Sequence, residues 1–248
     1  MAGAALLAAH AALLSGAGRV YAALLAENAP AVDPLHPEIM LRSPDKLAEL
    51  IKLAQLDCVV VGPGLGQSPV AIKWLEHWIA QNVPLLLDAD ALNLLSTHPH
   101  LRDAMQTRKA ASVITPHPGE AARLLSCSAA RIQQDRNECA LRLAKELNVV
   151  CVLKGVGSVC AHPGGEWFIN TSGNPGLASA GMGDVLSGII SSFIAQGLSA
   201  LDAAKLGVYL HGAAADALVE QGIGPVGLTA SEIALEVRNL INQYNRQQ

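Results

Sequence analysis

"DCVVVGPGLG", residues 57 to 66, decides the fold. Three β-branched residues in a row, with no polar alternation, describe a strand buried on both faces. A glycine turn follows, and then "AIKWLEHWIAQ" (71–81) at helical spacing. "VPLLLDADAL" (83–92) repeats the unit, turning into a short helix at Ala91 to Leu95, and "ASVITPHPGEAARLL" (111–125) repeats it again. Apolar strands alternating with helices imply an α/β fold with a mainly parallel central sheet and helices on both faces. In such sheets ligands lie beyond the carboxyl ends of the strands. The loops there are the glycine-rich and charged ones.

Outward from this core the pattern continues. "SPDKLAELIKLAQ" (43–55) reads as a helix with Leu47, Leu50, Ile51 and Ala54 on one face. "SAARIQQDRNECALRLAKELN" (128–148) reads as one long amphipathic helix. "VVCVLKG", "SVCAHP" and "EWFIN" read as three strands, the last two antiparallel, and helices are expected over 184–197, 200–221 and 229–245. The start, "MAGAALLAAHAALLSGAGRV", lacks the basic n-region of a signal peptide, since its first Lys or Arg is Arg19. It is short for a membrane span and reads as an alanine-rich core helix.

The chain has 248 residues, enough for one large α/β domain over 1–248. It is 51% hydrophobic but only 3% aromatic, so the core is built of Ala, Leu, Val and Ile. A net charge of −4 without a basic cluster argues against nucleic acid as a partner. The five cysteines (Cys58, Cys127, Cys139, Cys151, Cys160) form no C-x-x-C pair and read as reduced thiols of a cytoplasmic protein.

Each strand-end loop has two readings. "GPGLG" (62–66) is either a tight connection or a place where backbone approaches a ligand, and it is no Walker A loop because no Lys-Ser/Thr follows. Asp90 reads as the cap of the next helix, while Asp88 could hold a metal or a ligand hydroxyl. His117 stands between two prolines that stiffen its loop, and Glu120 reads as a first-turn acid. Lys154, ending a buried strand, requires a phosphate or carboxylate partner. In "GMGD" (181–184), bare N–H groups before a helix make an anion site, and Asp184 is either the N-cap or a base beside bound phosphate.

Taken in order, "GAALLAAHAALLSGAG", "GPGLG", "LDADALNLL", "TPHPGEAARLL", "VLKGVGS", "GNPGLASAGMGDVLSGII" and "LHGAAADAL" closely resemble the ADP-dependent NAD(P)H-hydrate dehydratase family. The resemblance implies a ribokinase-like fold and dehydration of the S-epimer of hydrated NADH or NADPH (NADHX, NADPHX). ADP, or ATP in its place, would be consumed, and Mg²⁺ would accompany the phosphates with no ligand set visible in the sequence. Matching positions imply Asp184 as the base and Gly181, Met182 and Gly183 as an anion hole. Lys154, Gly155, Val156, Gly157, Ser158 and Gly183 would contact the nucleotide, and Ala4, Gly64, His117 and Asp184 the hydrated cofactor. The resemblance further implies a homotetramer and an epimerase, fused or separate. Two departures stand out: relatives begin with an extra strand ahead of the first helix, and Ala180 stands where a second glycine is expected. Rival readings are a small-molecule kinase of the same fold and a nucleotide-binding protein without turnover.

Overall fold

The expected alternation organises the chain. The computed structural model describes residues 1–26, 28–52 and 56–246. Helix α1 (Ala2–Leu14) precedes a parallel pair, β1 (Tyr21–Ala23) and β2 (Met40–Arg42), and then α2 (Pro44–Lys52). Three strands follow, each with helices behind it. They are β3 (Val59–Val61) with α3 (Pro69–Ile79), β4 (Leu85–Leu87) with α4 (Asp90–Thr97) and α5 (Pro99–Thr107), and β5 (Ser112–Ile114) with α6 (Pro118–Leu124), α7 (Ala129–Gln134) and α8 (Arg136–Leu147). The chain continues through β6 (Val150–Leu153), the hairpin β7 (Val159–Ala161) and β8 (Trp167–Ile169), and three helices, α9 (Met182–Ala195), α10 (Ala200–Glu220) and α11 (Ala230–Asn245). Strands β3 to β6 pair in parallel in chain order, and β7 and β8 add antiparallel at the end of the six-stranded sheet.

Successive side chains of a strand point to opposite faces. Leu85, Leu87, Ile114, Cys151 and Leu153 therefore join the apolar faces of α3 to α8 in one core. Leu86, Val113, Val150 and Val152 join α1, α9, α10 and α11 in the other. Both faces are dry, which is why these strands carry no alternating polar residues. The opening helix packs against α9 with Ala8, Ala9, Ala11 and Ala12 buried, and no helix among the described residues is long and apolar enough to cross a membrane.

Some expectations change. Residues 128–148 form two helices, because Asp135 leaves helical geometry (φ −147°, ψ 81°) and its carboxylate accepts the Glu138 N–H at 3.0 Å, capping α8. Each half buries its own apolar residues, so periodicity ran across the break. The helix foreseen over 43–55 is present as α2, and Ala54 lies outside the described residues. Strands β1 and β2 and helix α5 were not foreseen; the strands are three residues each, too short to show a period. β1 pairs only with β2 and β3 only with β4 among the described residues. Between β1 and β3 lies a cavity of about 820 Å³ lined by Ala5, Ala8, Ala22, Val59 and Trp78.

Candidate active site

Four strand ends and one helix start meet at the carboxyl edge of the sheet. β4 delivers Asp88, whose side chain is only 2% exposed. Its Oδ1 accepts a hydrogen bond from Lys154 Nζ at 2.8 Å, at the end of β6. Its Oδ2 accepts from Ser187 Oγ at 2.9 Å, on α9, with Thr115 Oγ1 of β5's end 3.4 Å from that hydroxyl. The partner required by Lys154 is thus a carboxylate, and Asp88 is the hub that ties three elements together.

Gly62 explains part of the "GPGLG" loop. At φ +130° a Cβ placed there would sit 1.7 Å from the Asp88 carbonyl oxygen. The tight-connection reading therefore holds at this residue. Asp90 does not cap: Ala89 (φ 49°) occupies that position, and Asp90 Oδ2 instead accepts the Gly66 N–H at 2.8 Å. The loop and the next helix are pinned to each other by this bond, which a sequence-local capping rule cannot see.

Helix α9 begins with Gly181 as its N-cap, in the left-handed region at φ +84°. Asp184 is third in the helix and makes no capping bond, so the N-cap alternative fails. Its carboxyl is pushed up from 3.8 to about 6, first by burial, then by Asp88, with Lys154 pulling the other way. Few aspartates sit so close to the range in which a base both holds and releases a proton near neutral pH. Gly183 leaves the Lys154 ammonium uncovered, since a Cβ there would lie 3.1 Å from Nζ. Alanine at this first-turn position favours the helix by up to about 1 kcal/mol. Gly183→Ala is expected to leave thermal unfolding unchanged or slightly raised while weakening nucleotide binding at least tenfold in calorimetry.

His117 is the N-cap of α6. Its Nδ1 accepts the Gly119 and Glu120 N–H groups at 3.0 and 3.3 Å, and Glu120 Oε2 accepts the His117 N–H at 2.8 Å. Glu120 is thus the first-turn acid expected, closing a reciprocal capping box. Burial and then the Lys154 and Arg123 charges lower the His117 pKa, so the ring is neutral as the cap requires. With the folded value below the unfolded one, its contribution is present above the ordinary histidine range and lost as pH falls through the folded value. Asparagine also caps well. His117→Asn is expected to hold stability within about 0.5 kcal/mol, and to raise KM if the outward imidazole edge meets substrate, as steady-state kinetics will report.

The loop after β6 is held from behind. Arg136, at the start of α8, donates to the Leu153 carbonyl at 3.0 Å and to the Val156 carbonyl. Gly155 and Gly157 have positive φ, Ser158 Oγ donates to the Gly155 carbonyl at 3.3 Å, and Val156 is 99% exposed. At the other side, the Met1 amino group donates to the Gly64 carbonyl at 3.0 Å, and its charge acts on Asp184. Ala4 lies in the first turn of α1, partly buried, and Ala180 is exposed at the approach to α9.

The structure thus gathers Asp184, Gly183, Lys154 and His117 around Asp88, with the 155–158 loop following Lys154 and Gly64 held by Met1. Sequence reading missed Ser187, Thr115, Arg136 and His211. His211, buried on α10, is pushed down to about 4 by burial, and so stands as a neutral ring. Its only signal was a histidine among the apolar residues at the middle of that helix. Among the described residues no three His, Cys, Asp or Glu side chains group as metal ligands.

The family model described as NAD(P)H-hydrate dehydratase matches residues 1–238. The ADP-dependent (S)-NAD(P)H-hydrate dehydratase of Neisseria meningitidis serogroup B is 43% identical over 99% of this chain and 83% of its own length. The bifunctional NAD(P)H-hydrate repair enzyme of Escherichia coli K12 is 45% identical over 97% of this chain, which spans only 45% of that protein. The crystal structure of ADP/ATP-dependent NAD(P)H-hydrate dehydratase from Bacillus subtilis with ATP/Mg²⁺ superposes with a TM-score of 0.84 at 30% identity, covering 98% of this chain and 86% of that one. In fold this chain is ribokinase-like, and by sequence and structure together it belongs to the NAD(P)H-hydrate dehydratase family.

Proposed function

We propose that this chain, as a single domain, dehydrates the S-epimer of hydrated NADH or NADPH at the expense of ADP, with ATP as the alternative donor. Asp184 carries the reading: a carboxylate with a raised pKa beside the uncapped N–H groups of a helix start. Hydroxide is a poor leaving group, so the C6 hydroxyl is first phosphorylated. Asp184 takes the hydroxyl proton as the oxygen attacks the β-phosphorus of ADP, and the bond to AMP breaks. The amides of Gly181, Met182 and Gly183 stabilise the oxygens of the transferring group. The ring nitrogen lone pair then expels phosphate, and loss of the C5 proton restores the dihydropyridine.

In this reading Lys154 to Ser158 with Gly183 hold the nucleotide, and Ala4, Gly64, His117 and Asp184 hold the hydrated cofactor. Mg²⁺ would neutralise phosphate charge when bound. Asp88 and Asp90 are already engaged by Lys154, Ser187 and Gly66, so phosphate oxygens and water would supply most of its ligands. We further read the protein as cytoplasmic and tetrameric, acting after an epimerase that feeds it the S-form. Incubation with NADHX and ADP is expected to restore the reduced-nicotinamide absorbance with release of AMP and phosphate. Phosphoryl transfer to a small alcohol without that recovery would replace the dehydratase with a kinase, and nucleotide binding with no phosphate release would leave only a binding protein.

A further inference from the structure

The stretch "LHGAAADAL" (210–218) lies on α10, and the chemistry proposed above uses none of it. Residues 170–181 leave the end of β8 and run to the start of α9 as an irregular strap, with a single turn at Pro175–Ala178. The strap is laid along α10. Asn170 Nδ2 donates to the Val208 carbonyl at 3.2 Å, and Ser172 Oγ donates to the Tyr209 carbonyl at 2.9 Å. One helical turn on, Gly212 leaves room that a Cβ would take from Ser172. A further turn on, Asp216 closes the series. Its Oδ2 accepts the Gly173 N–H at 2.7 Å, and its Oδ1 accepts from Asn174 Nδ2 at 3.0 Å. Residues 208, 212 and 216 recur at helical spacing and share one face of α10.

The strap joins the two segments that the proposed function gives to the nucleotide. At its start the Asn170 N–H donates to the Ser158 carbonyl at 2.9 Å, and Ile169 lies against Gly157, where an added Cβ would sit 3.2 Å from its methyl. At its end stands Gly181, the N-cap of α9. Its middle is enclosed: Asn174 Oδ1 accepts the Gly176 N–H at 3.0 Å, and Gly176 is buried, with the Pro225 carbonyl oxygen 2.9 Å from where its Cβ would be. Irregular backbone lacks the ladder of bonds that holds a strand or a helix, so side chains set its position. Asp216 is the carboxylate among them, and hydrogen bonds to a carboxylate are roughly twice as strong as neutral ones.

We propose that Asp216 is a positioning residue for the nucleotide: through Gly173 and Asn174 it fixes the separation between the 155–158 loop and the Gly181–Gly183 amides. This rests on the reading that those two segments hold ADP. Both oxygens of Asp216 are engaged by the strap, so it acts on ADP only through Gly173 and Asn174. A loosened strap holds ADP only in the fraction of molecules where both segments are in place, and the apparent affinity falls by that fraction.

Calorimetry with ADP and steady-state kinetics on the full chain test this. Asp216→Asn keeps an acceptor for the Gly173 N–H but sets one side-chain amide against another at Asn174, donor facing donor. It is expected to raise Kd and KM for ADP about tenfold. At saturating ADP, kcat and the KM for NADHX are expected to stay within about twofold of wild type. Asp216→Asn with Asn174→Asp reverses the pair: the donor comes from position 216, and the carboxylate at position 174 still accepts the Gly176 N–H. It is expected to return ADP affinity to within about threefold of wild type. Should Asp216→Asn not fold, Asn174→Ser keeps an acceptor for Gly176, removes only the bond to Asp216, and is expected to raise Kd for ADP about threefold. Wild-type ADP affinity in these single variants would overturn the positioning role and leave the nucleotide site standing. So would equal losses in ADP affinity, NADHX KM and kcat that the double variant does not restore. A wild-type chain that binds no ADP would overturn the nucleotide reading itself, and this role with it.

Discussion

Asp184→Asn is expected to lower kcat by about a thousandfold, within the 10²–10⁴ range of general-base removal, while nucleotide binding measured by calorimetry stays within a few-fold. The same substitution is expected to make the protein more stable at neutral pH. A carboxyl raised from 3.8 to about 6 gives stability that is complete below about 3.8 and lost as pH rises through about 6. At neutral pH the wild type has lost it, and the amide has not. The site is partly open to water, so the gain is on the order of 1 kcal/mol once screening is allowed for. Thermal melts of the two proteins should converge near pH 4 and separate at pH 7 (approximate positions from the linkage relation). Loss of nucleotide binding and of stability together would make Asp184 a structural residue instead.

The second large effect concerns the Asp88–Lys154 pair. Asp88→Ala strands a partly buried ammonium and is expected to cost about 3 kcal/mol, the low end for a broken buried pair because Lys154 keeps some solvent access. Denaturant unfolding measures that loss. The double variant Asp88→Ala with Lys154→Met is expected to lose less than the two single losses combined, since it strands no charge. After burial, the pair also tunes the base. Asp88 raises the Asp184 pKa and Lys154 lowers it. An acid limb of kcat/KM set by the Asp184 carboxyl, raised to about 6, is therefore expected to move down in Asp88→Asn and up in Lys154→Met. Both limbs staying in place would remove these groups from the electrostatics of the site.

Much of this was legible in the residues themselves. Uninterrupted runs such as Val59–Val61 and Leu85–Leu87, short and set before glycine or aspartate turns, read as strands and are strands, and the three closing helices fall within two residues of their expected bounds. Glycine before Asp184 and lysine ending β6 each violated a local preference, and both fall at the site. What misled was local too. Asp90 and Asp135 are the same residue type before a helical run, yet only Asp135 caps.

Sequence alone determined the layers and which loops stand at the strand ends, because hydrophobic period and backbone preference are properties of neighbouring residues. Tertiary structure decided what those loops do to one another: Lys154 meets Asp88 across 66 positions of chain, and Ser187 meets it across 99. Electrostatic energy depends on distance in space and on exclusion of water. Neither exists until the sheet has brought its strand ends to one edge.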